Sequence, residues 1–213
     1  MKLIPNDLDA FLHFDEVVSI SDAIRSKTQE IVHSLESDID RSKAIFEWVR
    51  DNIHHTKDLG AEVVTCSSID TFSEGTGICF AKSHLVASMM RSEGIPCGFC
   101  YQVFDNPVAT DSDSLALHGL NAIYLESTSR WHRLDPRGNR VDVNAEFSVD
   151  REILAFPDML FMDDCIYAAP LKKVVQGLQT ASNITGLWTD LPAINMQNKT
   201  ELGNPLSSRS QDL

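Results

Sequence analysis

The chain has 213 residues, 43% hydrophobic and 23% charged, a composition that supports one buried core rather than a disordered or fibrous polypeptide. Its 31 acidic and 18 basic side chains leave a formal net charge of −13, a field that repels polyanions and so excludes nucleic acid and acidic membrane surfaces as partners. No apolar run approaches the roughly 18 residues of a membrane span, Met1-Lys2-Leu3-Ile4-Pro5 opens no apolar leader, and the five cysteines form an odd set, so the expectation is a reduced, cytoplasmic protein without metal or cofactor.

In chain order, residues 1–20 read as extended segments on the outside of the core. Ser19 or Ser21 caps a helix with Ile24, Ile31, Val32 and Leu35 on one face. After Ser37-Asp38-Ile39-Asp40, a second helix carries Ala44, Ile45, Trp48, Val49 and Ile53. His54-His55 reads as a solvated helix end, because adjacent side chains do not converge on one metal and no partner lies at zinc-ligand spacing. Residues 56–75 form a polar linker that carries part of a cleft wall. Gly75 and Gly77 lead into a third helix from Cys79, with Leu85, Val86, Met89 and Met90 at helical spacing. Gly94 ends it and Pro96 prevents its resumption.

Gly98 to Phe104 then reads as a strand. Cys97-Gly98-Phe99-Cys100 spells a redox motif, but on a strand these two cysteines point to opposite faces, so packing is the better account and a redox pair the alternative. Residues 105–117 form a solvated lid; Asp111 and Asp113 lack the Gly turn and distal Glu of a calcium loop. His118 to Glu126 and Trp131 to Asp135 form two antiparallel strands joined across Ser127–Arg130. Pro136-Arg137-Gly138-Asn139 is a turn, 145–149 a short strand, and 151–170, broken by Pro157 and Pro170, a wrap over the core. Leu171 to Gln179 form a short helix. The expected fold is α+β: N-terminal helices and a nucleophile helix packed on an antiparallel sheet, as one domain over 1–194 with a flexible tail at 195–213.

Chemistry gathers at three residues. Cys79 lies in the first turn of its helix, where unpaired N–H groups and the positive end of the dipole favour a thiolate. His118 opens one hairpin strand and Asp135 closes the other, so pairing returns both to one end of the sheet. A carboxylate beside an imidazole fixes its tautomer, and an imidazole beside a thiol takes its proton. His84 is a poor rival, about 140° around the helix from Cys79, and His132 points away from Asp135. His13 and His33 have no such setting. The Cys79 backbone N–H is the natural oxyanion donor. No Gln precedes the cysteine closely, and Thr71, Ser73, Asn52, Gln102 or another backbone N–H remain open as the second donor. Arg137 either binds a substrate carboxylate or forms a structural salt bridge, the reading preferred here. Lys82 either favours the thiolate or snorkels at the surface.

Gly77-Ile78-Cys79 with Lys82-Ser83-His84-Leu85 and Arg91-Ser92-Glu93-Gly94-Ile95-Pro96, then His118-Gly119-Leu120-Asn121 and Trp131-His132-Arg133-Leu134-Asp135-Pro136, resemble the transglutaminase-like superfamily in order and spacing. The helix Lys43 to Ile53 is similar to the one that precedes the cysteine there. The resemblance, over about 41–139, implies a papain-like core with a Cys79-His118-Asp135 triad. It implies a thiol enzyme forming a thioester with amide or carboxamide substrates, expected here to be a cysteine peptidase or amidohydrolase acting on a peptide or protein. A protein-glutamine transglutaminase and a non-catalytic peptide-binding module are the alternatives.

Overall fold

In the computed structural model, residues 1–105, 114–190 and 194–195 are described. The first strand, β1 (Lys2–Ile4), precedes a 3-10 helix at Asp9–Leu12. Two helices follow: α1 (Asp22–Val32), capped by the Ser21 hydroxyl accepting from Ile24 N, and α2 (Asp38–Asn52), capped by Ser37 accepting from Asp40 N. Each cap satisfies an otherwise orphaned N–H and contributes about 1 kcal/mol. The segment expected to be a linker is structured: β2 (His54–His55), α3 (Thr56–Leu59), α4 (Ser68–Glu74) and β3 (Thr76–Gly77) fill it, and Ser67 and Asp70 close a reciprocal capping box at the start of α4. Next come α5 (Cys79–Ser92), β4 (Cys97–Asp105), β5 (Ser114–Leu125) and β6 (Arg130–Leu134). The chain continues through β7 (Leu160–Phe161), β8 (Cys165–Tyr167), α6 (Lys172–Thr180), α7 (Ile184–Asp190) and β9 (Ile194–Asn195).

The main sheet runs β1-β8-β4-β5-β6, with β7 paired to β4 and β9 to β5; only β1–β8 is parallel among these pairings. The fold is therefore the α+β arrangement expected. Strand alternation sorts side chains to two faces. Phe99, Tyr101, Val103, Leu117, Ile123 and Leu125 join the core beneath α1, α2 and α5, whereas Cys100, Leu120 and Ala122 pack with Phe11, Leu154 and Ile166 on the other side. Cys97 and Cys100 thus lie on opposite faces, as the strand reading required.

Two expectations are corrected here. Residues 1–20 are extended and outer only in part: β1 pairs with β8 at the edge of the sheet, but Asp9–Leu12 is a 3-10 helix and Phe11 is fully buried in the second core. Residues 151–170 are not only a wrap, because they supply β7 and β8 to the sheet. Of the expected lid, residues 106–113 lie outside the described residues, and Ser114 to Leu117 already belong to β5. Of the expected tail, Asn195 ends β9 and residues 196–213 lie outside the described residues.

Candidate active site

Helix α5 starts at Cys79, with Ile78 as its N-cap and no side chain capping it. The first-turn N–H groups around Cys79 therefore keep their hydrogen-bonding capacity beside a thiol that is 7% exposed. α5 reaches β5 closely because position 119 is glycine: a Cβ there would overlap the Phe80 ring. Two polar contacts lock the same approach, Ser83 Oγ donating to the Gly119 carbonyl at 3.3 Å and Asn121 Nδ2 donating to the Ser83 carbonyl at 3.0 Å. Cys79 and His118, the residue before Gly119, are brought together by this seam.

His118 is buried and its Nε2 meets Asp135 Oδ2 at 2.8 Å. The hairpin register, with Asn121 opposite Leu134, delivers both residues to one end of the sheet as the strand pattern required. The ring also lies near enough to Cys79 for the two to interact electrostatically. With Nε2 on the carboxylate, Nδ1 is left for the thiol. Burial alone would depress the imidazole, but the Asp135 charge, the Cys79 charge and the hydrogen bond to Asp135 outweigh it, and His118 is raised to about 10. Asp135 is fully buried; burial pushes its carboxyl up, but His118 and the N–H groups of Ala155 and Arg137 hold it below the usual range. Those bonds are 3.0 Å from Ala155 N to Oδ2 and 3.1 Å from Arg137 N to Oδ1. A buried thiol, an imidazole whose protonated form is favoured and a fixed carboxylate can form a thiolate–imidazolium pair when the thiol proton moves to the ring.

The segment beyond the hairpin closes over this pair. Phe156 stands edge-on to His118 with centroids 4.9 Å apart, and Gln102, opposite His118 in the β4–β5 register, donates to the carbonyls of Phe156 and Met159 at 3.1 and 3.3 Å. A cavity of about 560 Å³ adjoins the same segment, between Val141–Asn144 and Arg151–Ala155.

The remaining sequence-flagged residues fall into place. His84 is buried with Nδ1 2.7 Å from the Cys66 carbonyl, and His132 Nε2 is 2.8 Å from Thr128 Oγ1, so neither serves the thiol. His13 and His33 are exposed. Among the named oxyanion alternatives, Asn52, Gln102 and Thr71 each commit their donor to a backbone carbonyl elsewhere. Arg137 is buried and its two terminal nitrogens grip Asp58, the ion-pair alternative. Cys97 and Cys100 are free thiols pushed up to about 12 by burial. Among the described residues no cluster of His, Cys, Asp and Glu is placed to hold a metal.

Sequence reasoning misplaced two neighbours of the site. His55 is not a solvated helix end: it is 7% exposed, its Nδ1 has no partner, and burial together with the Arg137 charge lowers it to about 3, so it is a neutral imidazole. Its β2 position opposite Gly77 in β3 places it beside the entry to α5, a pairing no local signal announces. Lys82 is not a surface lysine; it is fully buried.

The sequence matches the transglutaminase-like superfamily over residues 25–136, a span that begins within α1 and ends one residue past Asp135. No curated protein matches it. Among solved structures, it is similar to a candidate cysteine protease from Cytophaga hutchinsonii (20% identity, 62% of this chain and 42% of that one, TM-score 0.49). It is also similar to a candidate protease from Parabacteroides distasonis (13%, 57% and 25%, TM-score 0.39). A third is the periplasmic domain of TgpA from Pseudomonas aeruginosa (14%, 61% and 47%, TM-score 0.45). In each case the match spans less than half of the other chain.

Proposed function

The chain belongs to the transglutaminase-like superfamily, and on that premise we propose that it is a thiol-dependent acyl-transfer enzyme, a cysteine peptidase or amidohydrolase with Cys79, His118 and Asp135 as its catalytic residues. The observation that carries the reading is the buried pair in which Asp135 holds Nε2 of His118, with Cys79 near enough to raise the same ring. His118 takes the thiol proton, and the Cys79 sulfur attacks the carbonyl carbon of an amide or carboxamide. The oxyanion falls toward the first-turn N–H groups of α5. Collapse of the tetrahedral intermediate breaks the C–N bond, the imidazolium returns its proton to the leaving amine, and a thioester remains. Water then attacks the thioester with His118 again accepting a proton, which releases a carboxylic acid and restores the thiol. An amine acceptor in place of water would give transglutaminase chemistry.

The substrate in this proposal is a peptide or protein, and the setting is a reducing cytoplasm. The five cysteines are all free, and no described helix is long and apolar enough to cross a membrane. The test is incubation with glutamine-containing peptides, with and without a primary amine, read by mass spectrometry of both peptide and enzyme. Ammonia release or chain cleavage through an acyl adduct on Cys79 supports the reading. Peptide retained intact and reversibly, with no adduct, would favour the binding-module alternative.

A further inference from the structure

Lys82 stands one helical turn after Cys79, and its burial needs an explanation, because removing an ammonium from water is costly unless it is paired. Nζ donates to the carbonyl of Arg50 at 3.1 Å and to that of Arg137 at 3.3 Å. The first belongs to the last turn of α2, where carbonyls lack helical partners and the dipole is negative. The second belongs to the turn that follows Asp135. Among the described residues no carboxylate lies within ion-pair distance of Nζ. The ammonium is therefore held by two neutral acceptors, one from the end of α2 and one from the turn after Asp135.

Arg137 is fixed through its backbone and through both terminal guanidinium nitrogens. Its carbonyl accepts from Lys82, its guanidinium is paired with Asp58, and its N–H donates to Asp135 Oδ1. Gly138 follows at φ +103°, a conformation that lets the chain turn away directly. Asp135 then presents Oδ2 to His118. We propose that the Lys82 ammonium is a positioning element of this site: by holding the Arg137 carbonyl it sets the turn whose N–H orients Asp135, and so couples a proton on Lys82 to the His118–Asp135 pair. This rests on the acyl-transfer reading for what the pair does, whereas the coupling itself is a matter of placement.

The proton on Lys82 is exchangeable in the neutral range. Burial and the Arg137 charge lower the lysine to about 7, against the pull of Asp135, Asp51 and Asp58. The charged and titratable groups facing it are Asp51 from α2, His55 from β2, Asp58 from α3, and Asp135 and Arg137 beyond β6. A neutral amine loses the charge assistance that roughly doubles the strength of such bonds, and the turn loosens.

The test follows the His118 ring by NMR in wild type and Lys82→Met, alongside the alkylation rate of Cys79 by iodoacetamide at pH 6. The expected results at pH 6, where Lys82 carries its charge, are a displaced His118 ring-proton shift in the variant and an alkylation rate at least tenfold lower. Lys82→Arg, which keeps a permanent charge, recovers most of both. A folded Lys82→Met with the wild-type ring shift and rate at pH 6 overturns the proposal. Wild-type Cys79 reacting no faster than a free thiol would overturn the acyl-transfer reading instead, and the His118 ring shift would still decide the coupling. Should Lys82→Met fail to fold, wild type with labelled lysine decides it: His118 and Lys82 resonances moving over the same pH interval support the proposal, and independent movement overturns it.

Discussion

The two ends of α5 each bury a cation among backbone carbonyls, and they do so differently. At the C-terminal end Arg91 reaches the Cys97 carbonyl through Nε and Nη2 at 3.1 and 2.7 Å, the Ala168 carbonyl at 2.6 Å and the His13 carbonyl, and it lies 5.7 Å from the Phe99 ring centroid. Burial lowers this guanidinium from its ordinary value, but its delocalised charge is shared among three carbonyls, and it ties the helix to β4 and the segments on either side. At the N-terminal end Lys82 meets two carbonyls, titrates near neutrality and sits one turn from the thiol. The same contrast separates the cysteines. Cys97 and Cys100 are buried thiols raised to about 12 by burial, with no histidine among the groups that shift them, whereas Cys79 interacts with a raised histidine. Burial alone marks architecture; burial with an exchangeable proton and a partner that can take it marks chemistry.

The sharpest way to break this contrast is at the sulfur. Cys79→Ser is expected to lower turnover of a peptide or carboxamide substrate on the order of 10⁴-fold while unfolding near the wild-type midpoint. Turnover that survives the change would move the chemistry elsewhere. The next largest effect is at the other end of the helix. Arg91→Met strands the carbonyls of Cys97, His13 and Ala168 and should cost about 3–5 kcal/mol in urea unfolding. Lys82→Met, which strands two carbonyls and relieves a buried ammonium, should cost distinctly less. Equal losses would erase the distinction between the two cations.

pH separates them further. His118, raised to about 10, contributes stability present below its ordinary 6.5 and lost as pH climbs through 10. Lys82, lowered from 10.5 to about 7, has the opposite sign: its contribution grows as pH rises across that interval. His118→Gln should therefore make the unfolding free energy rise more steeply between pH 7 and 10, and Lys82→Met should make it fall more steeply. Either slope with the reverse sign would contradict the assignment. The smallest effects belong to Cys97→Ala and Cys100→Ala, which should leave Cys79 alkylation within about twofold of wild type (under ~0.5 kcal/mol). Peptide mapping after mild oxidation should find no bridge between them; a bridge would revive the redox alternative.

Much of this was legible where the signals are local. Ser21 and Ser37 announce their helices, Gly94 closes α5, and the alternation around His118 and Asp135 gives the hairpin and the return of both residues to one end. The capping box Ser67–Asp70 was equally readable and would have revealed α4 inside the supposed linker. His55 and Lys82 were not, because their burial comes from segments far apart in the chain: β2 meeting β3, and the α2 terminus meeting the turn after Asp135. β7 and β8 escaped for the same reason, since two- and three-residue strands exist only by pairing with β4 and β1. Phe156 carries no pattern that points to His118.

The most direct test of the central claim is the rate of Cys79 alkylation by iodoacetamide from pH 4 to 10, read by peptide mapping in wild type and in Asp135→Asn. The thiolate–imidazolium account predicts a plateau of high reactivity extending well below the ordinary thiol range of about 8.5, with most of the acidic plateau lost when Asp135 no longer holds the His118 ring. A single rise near that ordinary value, the same in both proteins, would contradict it.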